Sequence, residues 1–269
     1  MTTQSGGRTY VVGQAEVRHE NLRIAREVKA ILFAALAVAS GTAGAQEAGI
    51  SGIEEVVVTA TRREQSFRDV PMAVSALDSQ RLQDTGVTEF NDIQSQVPSF
   101  EIEANTNPFT TSLRIRGMGN LANIPNFEPA VGLFVDGAYR SRSGVAMGDL
   151  LDVERIEILR GPQSVLYPKN VTAGLVNVIT QRPTDEFSAW GGASFGNLNY
   201  WQLQGGINGA LADGVRGRLA AVTSDRDGSF NDTVNGTKRG GFARTAFRGQ
   251  LEFDIGDRAN LRLIAGYSD

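Results

Sequence analysis

The sequence predicts a small α+β domain followed by the opening antiparallel strands of an incomplete transmembrane β-barrel. Three observations predict it. Residues 30–40 form an apolar run behind basic residues and ahead of small ones, the pattern of an exported chain. Residues 65–183 mix short β-branched strands with capped helical turns. Residues 184–269 change rhythm, to strands of roughly ten residues in which small or polar side chains alternate with apolar ones.

Composition bounds the chemistry. The 269 residues leave room for one large domain or two ordinary ones with a sizeable core. With 26 basic against 30 acidic residues there is no basic stripe for a phosphate backbone, and nucleic acid is not expected as a partner. The 31 glycines favour turn-rich β architecture. There is no cysteine, and the one histidine, His19, lies in the segment read as removed. What remains has neither a Ser-His-Asp or Cys-His constellation nor the usual zinc and iron ligand sets. No catalytic residue, metal or cofactor is expected. A glycoside hydrolase would need two carboxylates flanking the scissile bond, and no paired acidic motif stands out.

Residues 1–45 read as a signal peptide. The run AILFAALAVAS is too short to span a bilayer, which takes ~20 residues. Arg23, Arg26 and Lys29 precede it, and Ala43, Gly44 and Ala45 follow as a small-x-small cleavage pattern. A short buried helix is the alternative, and the order of the three features argues against it. The long leading segment suggests a true start beyond Gly13.

Residues 46–64 read as a linker and a strand. Residues 46–52 are small and polar, hence flexible. The following IEEVVVTATRR is a β-branched run with charged flanks, able to add itself as a strand to another protein's sheet. On periodicity alone an ordinary first strand is favoured.

Within residues 65–183, residues 70–77 look like a strand. Asp78 can cap a short helix that runs through Leu82 and ends at Gly86. Thr88 can cap a second, with Phe90, Ile93 and Val97 on one face before Pro98. Residues 112–117 and 132–139 alternate with period two, and Asp136-Gly137 suits a tight hairpin turn. Residues 153–159 and 175–180 are further strands, with a turn into a helical segment at 160–167.

In the last part, residues 187–195, 200–210, 215–226, 242–255 and 260–268 are strand-length. The connections 211–214 and 256–259 are short, and 227–241 is long and polar. Short turns alternating with long loops describe an outer-membrane barrel. Taken alone, this segment fits a soluble β-meander equally well.

One family carries these motifs in this order. EEVVVTATRRE, LRIRGMGN, VGLFVDGAYRSRSG, LLDVERIEILRGPQSVLYPKN and TAGLVNVITQRP, from Glu54 to Pro183, resemble successive motifs of the TonB-dependent outer-membrane receptors. The resemblance implies a Ton box, a plug domain and a barrel in the outer membrane of a Gram-negative cell, in contact with its lipid. It makes Glu55, Val56, Val57, Val58, Thr59 and Ala60 the segment that engages a TonB-type energy transducer in the periplasm. Arg116 and Arg160 resemble the plug arginines that pair with glutamates inside the barrel wall. The implied function is active uptake of a large extracellular nutrient. Ferric siderophores are the commonest class, with cobalamin and carbohydrates as competitors.

Loop composition makes Asn105, Phe109, Asn120, Asn123 and Phe127 candidate ligand apices. Pro168 departs from the family, which usually carries Gly there, and Pro cannot take φ > 0. A signal-transducing subtype would need ~50 residues of extra domain before the Ton box, where only residues 46–54 lie. A plugged barrel has about 22 strands, so five make the chain read as a fragment, a frameshifted copy or an incomplete sequence. The alternative is a plug-only periplasmic binding or interaction module that transports nothing, or a degenerate gene product.

Overall fold

The computed structural model describes residues 72–87, 89–103, 111–119, 128–141, 150–167, 169–233, 238–256 and 258–268, with the backbone of 57–58 and 65–66. The signal-peptide reading, the linker at 46–52, Thr88 and Pro168 lie outside the described residues. The first two strands are β1, Val57–Val58, and β2, Gln65–Ser66, paired antiparallel.

The N-terminal domain is built on a mixed five-stranded sheet. Its strands are β3 (Val74–Asp78), β7 (Val131–Val135), β8 (Ala138–Arg140), β9 (Val153–Arg160) and β10 (Gly174–Thr180), in the order β3-β9-β10-β7-β8. Only β10 and β7 run parallel. The inner strands are buried on both sides, which explains their near-continuous apolar sequences. One face carries Ile156, Ile158, Val176, Val178 and Leu133. It is covered by helix α1 (Ser79–Asp84), a 3-10 turn at Phe90–Asp92, helix α2 (Ile93–Gln96), and the small sheet β4 (Phe100–Glu103), β5 (Ser112–Ile115) and β6 (Met118–Gly119). The other face packs Val74, Leu159, Leu175 and Phe134 against Tyr167 and Val171. Gly174 closes the core: at φ +146° its backbone passes so near β9 that a Cβ would lie 2.3 Å from the Leu159 carbonyl oxygen.

The local expectations hold in part. Asp78 caps α1, its carboxylate accepting from the Arg81 N–H at 2.7 Å, and Gly86 follows the helix at φ +66°. Phe90, Ile93 and Val97 are all buried together. The Glu89 N–H donates to the Asp92 carboxylate at 2.8 Å, so the entry turn is tied at Glu89. Asp136 and Gly137, at φ 49° and 78°, make the tight β7–β8 turn. Two expectations fail. The strand at 112–117 stops at Ile115 because Arg116 and Gly117 turn left-handed, at φ 54° and 73°. Residues 160–167 form only one turn, closed by the Tyr167 N–H on the Gln163 carbonyl at 3.0 Å, and no regular helix.

The second half is a continuous antiparallel wall: β11 (Ser188–Phe195), β12 (Trp201–Ala212), β13 (Val215–Arg226), then β16 (Phe242–Ile255) and β17 (Ala259–Ser268). The long connection between β13 and β16 holds its own small hairpin, β14 (Phe230–Asn231) with β15 (Lys238–Arg239). The sheet is open among the described residues, with β11 and β17 at its edges. Each strand falls within two residues of its expected bounds. β12 runs further than expected, leaving Asp213 and Gly214 (φ 68°) as the whole turn.

The wall's faces differ in chemistry. Facing residues across its register set Ile207, Leu219, Phe247, Leu251 and Leu263 on one side, all exposed or nearly so. The other side carries Asn208, Arg216, Arg218, Arg244, Arg248, Gln250, Glu252 and Arg262 and lies against the N-terminal domain. A soluble meander would bury its apolar face and wet its polar one. This wall does the reverse, as a strand in lipid must. Leu219→Arg, on the apolar face, is expected to cost about 2–4 kcal/mol if it lies near the bilayer midplane and to deplete the protein from outer-membrane fractions. Ile255→Arg, at the strand end on the same face, should cost less. Equal recovery of Leu219→Arg and wild type would remove the lipid-facing assignment.

Candidate functional site

The site to examine is the seam where the wall's polar face meets the domain. Six wall arginines share the inward-facing parity, and water cannot solvate them all, so the domain has to supply acceptors. It does so at two corners. The first is Asp152, just before β9, held at φ 55° by the tight entry to that strand. Its carboxylate takes Arg218 bidentately, Nε at 2.6 Å and Nη2 at 2.5 Å, and both side chains are buried. Arg248, on the neighbouring strand, donates to the Leu151 carbonyl.

The second corner is the β7–β8 turn. The Asp136 carboxylate accepts from the Thr180 N–H at 3.0 Å and from its hydroxyl at 2.9 Å. Arg262 donates to that hydroxyl oxygen at 2.8 Å and lies 3.5 Å from Asp136. Gln250 completes the set: its amide donates to the Gln181 carbonyl at 2.9 Å, and its oxygen takes Arg262 at 2.7 Å. Charge-assisted bonds of this kind are shorter and stronger than neutral ones, and they share members, so the corner forms as a unit.

Between the corners and the first wall strand, the connecting segment is pinned. Asn208 accepts from the Thr184 N–H at 2.9 Å and donates to its hydroxyl at 2.6 Å and to the Glu186 carbonyl at 2.9 Å. Arg182 lies 3.5 Å from Glu252, and Arg216 lies against Asp185, Glu252 and Asp254. Higher on the wall the seam is looser. A cavity of about 630 Å³ separates α1 from β11–β13, lined by Gln83, Asp152, Ser194, Gln202, Gln204 and Arg218.

At the end of the wall opposite the short turns, the long connection is tied to the 196–200 loop. The Asn199 amide donates to Asp227 at 2.8 Å and Lys238 to the same oxygen at 3.2 Å. The Asn199 bond, with Lys238 behind it, holds the Asp227 carboxyl below its usual range.

The residues singled out from sequence fall unevenly on this geometry. Arg160, at the end of β9, donates to the Val74 carbonyl at 3.2 Å and to Ser75 Oγ at 3.0 Å, and its buried Nε has no hydrogen-bond partner among the described residues. Arg116 is exposed in its left-handed turn. Neither touches the five wall strands described. Val57 and Val58 are extended, while Glu55, Val56, Thr59 and Ala60 lie outside the described residues, as do Asn105, Phe109, Asn120, Asn123 and Phe127. The seam residues Asp152, Thr180, Arg218, Gln250 and Arg262 were not singled out. Strand parity places the wall members inward, but nothing in the sequence names their partners.

Residues 66–175 match the family described as the TonB-dependent receptor plug domain. The N-terminal domain belongs to this family and is the plug; the wall has the fold of the start of such a barrel, whose place is the Gram-negative outer membrane. The chain is 26% identical over 185 residues to the pesticin receptor of Yersinia pestis, covering 68% of this chain and 27% of that protein. It is 29% identical over 172 residues to the ferric-pyoverdine 358 receptor of Pseudomonas putida, covering 63% and 20%. The chain thus spans only about a quarter of the length of these relatives. Among solved structures it resembles the ferric yersiniabactin uptake receptor of Yersinia pestis (TM-score 0.65, 24% identity, 73% of this chain and 31% of that one). It resembles as well the pyoverdine outer-membrane receptor of Pseudomonas aeruginosa (TM-score 0.65, 20% identity, 79% and 30%).

The seam yields two expectations. Asp152→Asn keeps the shape and tolerates φ > 0, but leaves Arg218 buried without a counter-charge. It should cost about 3–5 kcal/mol, and adding Arg218→Met should restore part of that. Urea unfolding followed by Trp190 fluorescence, with Trp201 replaced by Phe, measures it, since Trp190 packs beside Leu151 at the seam. An unchanged midpoint would contradict the pairing.

The second concerns pH. The Asp227 carboxyl is depressed in the folded protein, so its tie contributes fully above the ordinary carboxylate range and is lost as pH falls through the lowered value. Hydrogen-exchange protection of the Asp227 amide, which donates to the Leu198 carbonyl, should hold down to that range and fall only in stronger acid. In Asp227→Asn the acid step should vanish, and a step that persists there would assign it to another group.

Proposed function

We propose that this chain serves TonB-dependent uptake of a large nutrient, most simply a ferric siderophore, across the outer membrane. The observation that carries the reading is the polar seam. A plug docked by charged hydrogen bonds onto the inner face of a lipid-facing wall blocks passage, yet can be released without exposing an apolar core. The names of the relatives support that cargo class. Names among them specify ferric yersiniabactin, pyoverdine and alcaligin receptors, with a vitamin B12 transporter as the competing class. The function is transport rather than catalysis.

In this reading, Glu55, Val56, Val57, Val58, Thr59 and Ala60 are the segment to which the periplasmic energy transducer adds a strand. The extended backbone at Val57–Val58, paired among the described residues with the two residues of β2, supports it. A strand added edge to edge shares load over several backbone hydrogen bonds, which suits a pulling partner. Arg160 and Arg116 await glutamates from further wall strands, and the unpartnered Arg160 Nε is the feature that supports this. Asn105, Phe109, Asn120, Asn123 and Phe127 are read as ligand-facing apices on their loop composition alone.

Val57→Pro removes a backbone donor and disrupts strand addition. It should abolish uptake of a radioactive iron(III) chelate by intact cells while leaving chelate binding at the surface unchanged. Uptake that survives the change would count against the coupling role of this segment.

A further inference from the structure

We infer that residues 181–186, which join the plug to the wall, are a clamp that stays closed during uptake, and that Asn208 is the positioning residue that holds it. The inference rests on the uptake reading and on the coupling role of residues 55–60, and it adds where the load of coupling ends. The plug parts from the wall at its charged corners while this connector remains fastened.

The connector is held along its length. The Gln181 carbonyl accepts from the Gln250 amide at 2.9 Å, and the Asp185 carbonyl from the Ala210 N–H at 3.3 Å. Between and beyond them, one carboxamide makes three bonds. Asn208 Oδ1 accepts from the Thr184 N–H at 2.9 Å, and its Nδ2 donates to the Thr184 hydroxyl at 2.6 Å and to the Glu186 carbonyl at 2.9 Å. Asn208 is only 3% exposed, whereas Thr184 and Glu186 lie at the surface. Water can satisfy an exposed backbone at that rim, so satisfaction alone does not account for a buried side chain reaching out to it. The two ion pairs nearby, Arg182 with Glu252 and Arg216 with Asp185, have exposed connector members and add little.

Position gives the clamp its role. Force that enters at residues 55–60 crosses the plug and leaves it through β10, an inner strand between β9 and β7. The next element is β11, which among the described residues is an edge strand bonded to β12 alone. The plug lies on the inner face, so tension from it draws the start of β11 off the wall. A ladder loaded from one end opens pair by pair, and the first pair is Ser188 with Asn208. Bonds loaded in turn yield at the strength of one; bonds loaded together divide the force. The three Asn208 bonds stand ahead of that first pair and act together. If β11 peeled, its N–H and C=O groups would be left to hydrocarbon, which cannot satisfy them. The corners differ in kind: their charged groups are readily taken over by water on release, whereas the Asn208 bonds are neutral and centred on a buried amide.

The test is made in cells with an active transducer. Asn208→Ala should lower the intact receptor recovered in outer membranes about fivefold. Asn208→Asp, which keeps the acceptor for the Thr184 N–H, should fall between. Adding Val57→Pro, which removes the pull, should restore recovery of Asn208→Ala. The chain has no cysteine, so Thr184→Cys with Asn208→Cys makes a single pair across the clamp. Oxidised, that pair should match wild type in recovery and in uptake of a radioactive iron(III) chelate; kept reduced, it should behave as Asn208→Ala. Wild-type recovery of Asn208→Ala overturns the inference, and so does a loss that Val57→Pro does not relieve, which marks an ordinary folding bond. An oxidised pair that abolishes uptake shows that the connector must open, and a pair that fails to oxidise contradicts the closed geometry; either overturns the clamp. Uptake that survives Val57→Pro alone overturns the coupling reading and the clamp with it. Relief of Asn208→Ala by Val57→Pro, in cells where wild type takes up no iron(III) chelate, supports the clamp and counts against the ferric cargo.

Discussion

Hydrocarbon cannot solvate a peptide group, and that constraint shapes everything in this chain after residue 187. Each wall strand commits its N–H and C=O groups to its neighbours and its odd-numbered side chains to lipid. Away from the strand ends, charge is thereby confined to the even-numbered positions. Arg216, Arg218, Arg244, Arg248 and Arg262 stand in one field on the inner face, where like charges repel and each guanidinium needs acceptors. A wall of this kind is incomplete without something polar filling it.

The plug answers that need with backbone conformations that cost something in isolation. Asp152 and Asp136 both sit at positive φ, at the ends of β9 and β7, where they are held out from the sheet toward the wall. Their neighbours contribute as well: the Leu151 and Gln181 carbonyls are acceptors freed because the chain there is turning rather than pairing. The plug core, in contrast, is mostly apolar, with a large cluster on one side of its central sheet and a smaller one on the other. The division follows the energetics. Apolar burial on both faces of β9 and β10 holds the plug together, and charged bonds at its rim hold it in place, so the second set can be exchanged for water while the first remains.

How much of this was legible in the sequence depends on the range of the forces involved. The wall strands were, because their period-two pattern is imposed residue by residue by lipid on one side and polarity on the other. The α1 cap at Asp78 and the Asp136–Gly137 turn were legible because capping and left-handed turns are decided within a few residues. The parallel pairing of β7 with β10 was not, because it joins segments some forty residues apart, and neither alternation nor turn chemistry specifies a partner at that distance. Arg116 read as a strand residue because Arg114 and Ile115 alternate up to it; only Gly117 hinted at the turn. The helical reading of 160–167 failed for a related reason, since Tyr167 and Val171 are drawn onto the sheet by Phe134 and not by a helical face of their own. The seam was half legible: parity gives the inward arginines but not Asp152, Asp136 or Thr180.

The arginines themselves then fall into two kinds, and the difference carries functional meaning. Arg218 and Arg262 are matched at once by acids of the plug, so their charge is spent on holding two parts of the chain together. Arg160 and Arg226 are placed with equal care, one by Val74 and Ser75 and the other by the Phe242 ring, yet each keeps a buried Nε without an acceptor. A fold that arranges carbonyls, hydroxyls and carboxylates around Arg218, Arg248 and Arg262 has the means to satisfy these two from within. Among the described residues it does not do so for Arg160, inside the plug, or for Arg226, on the wall's outer rim.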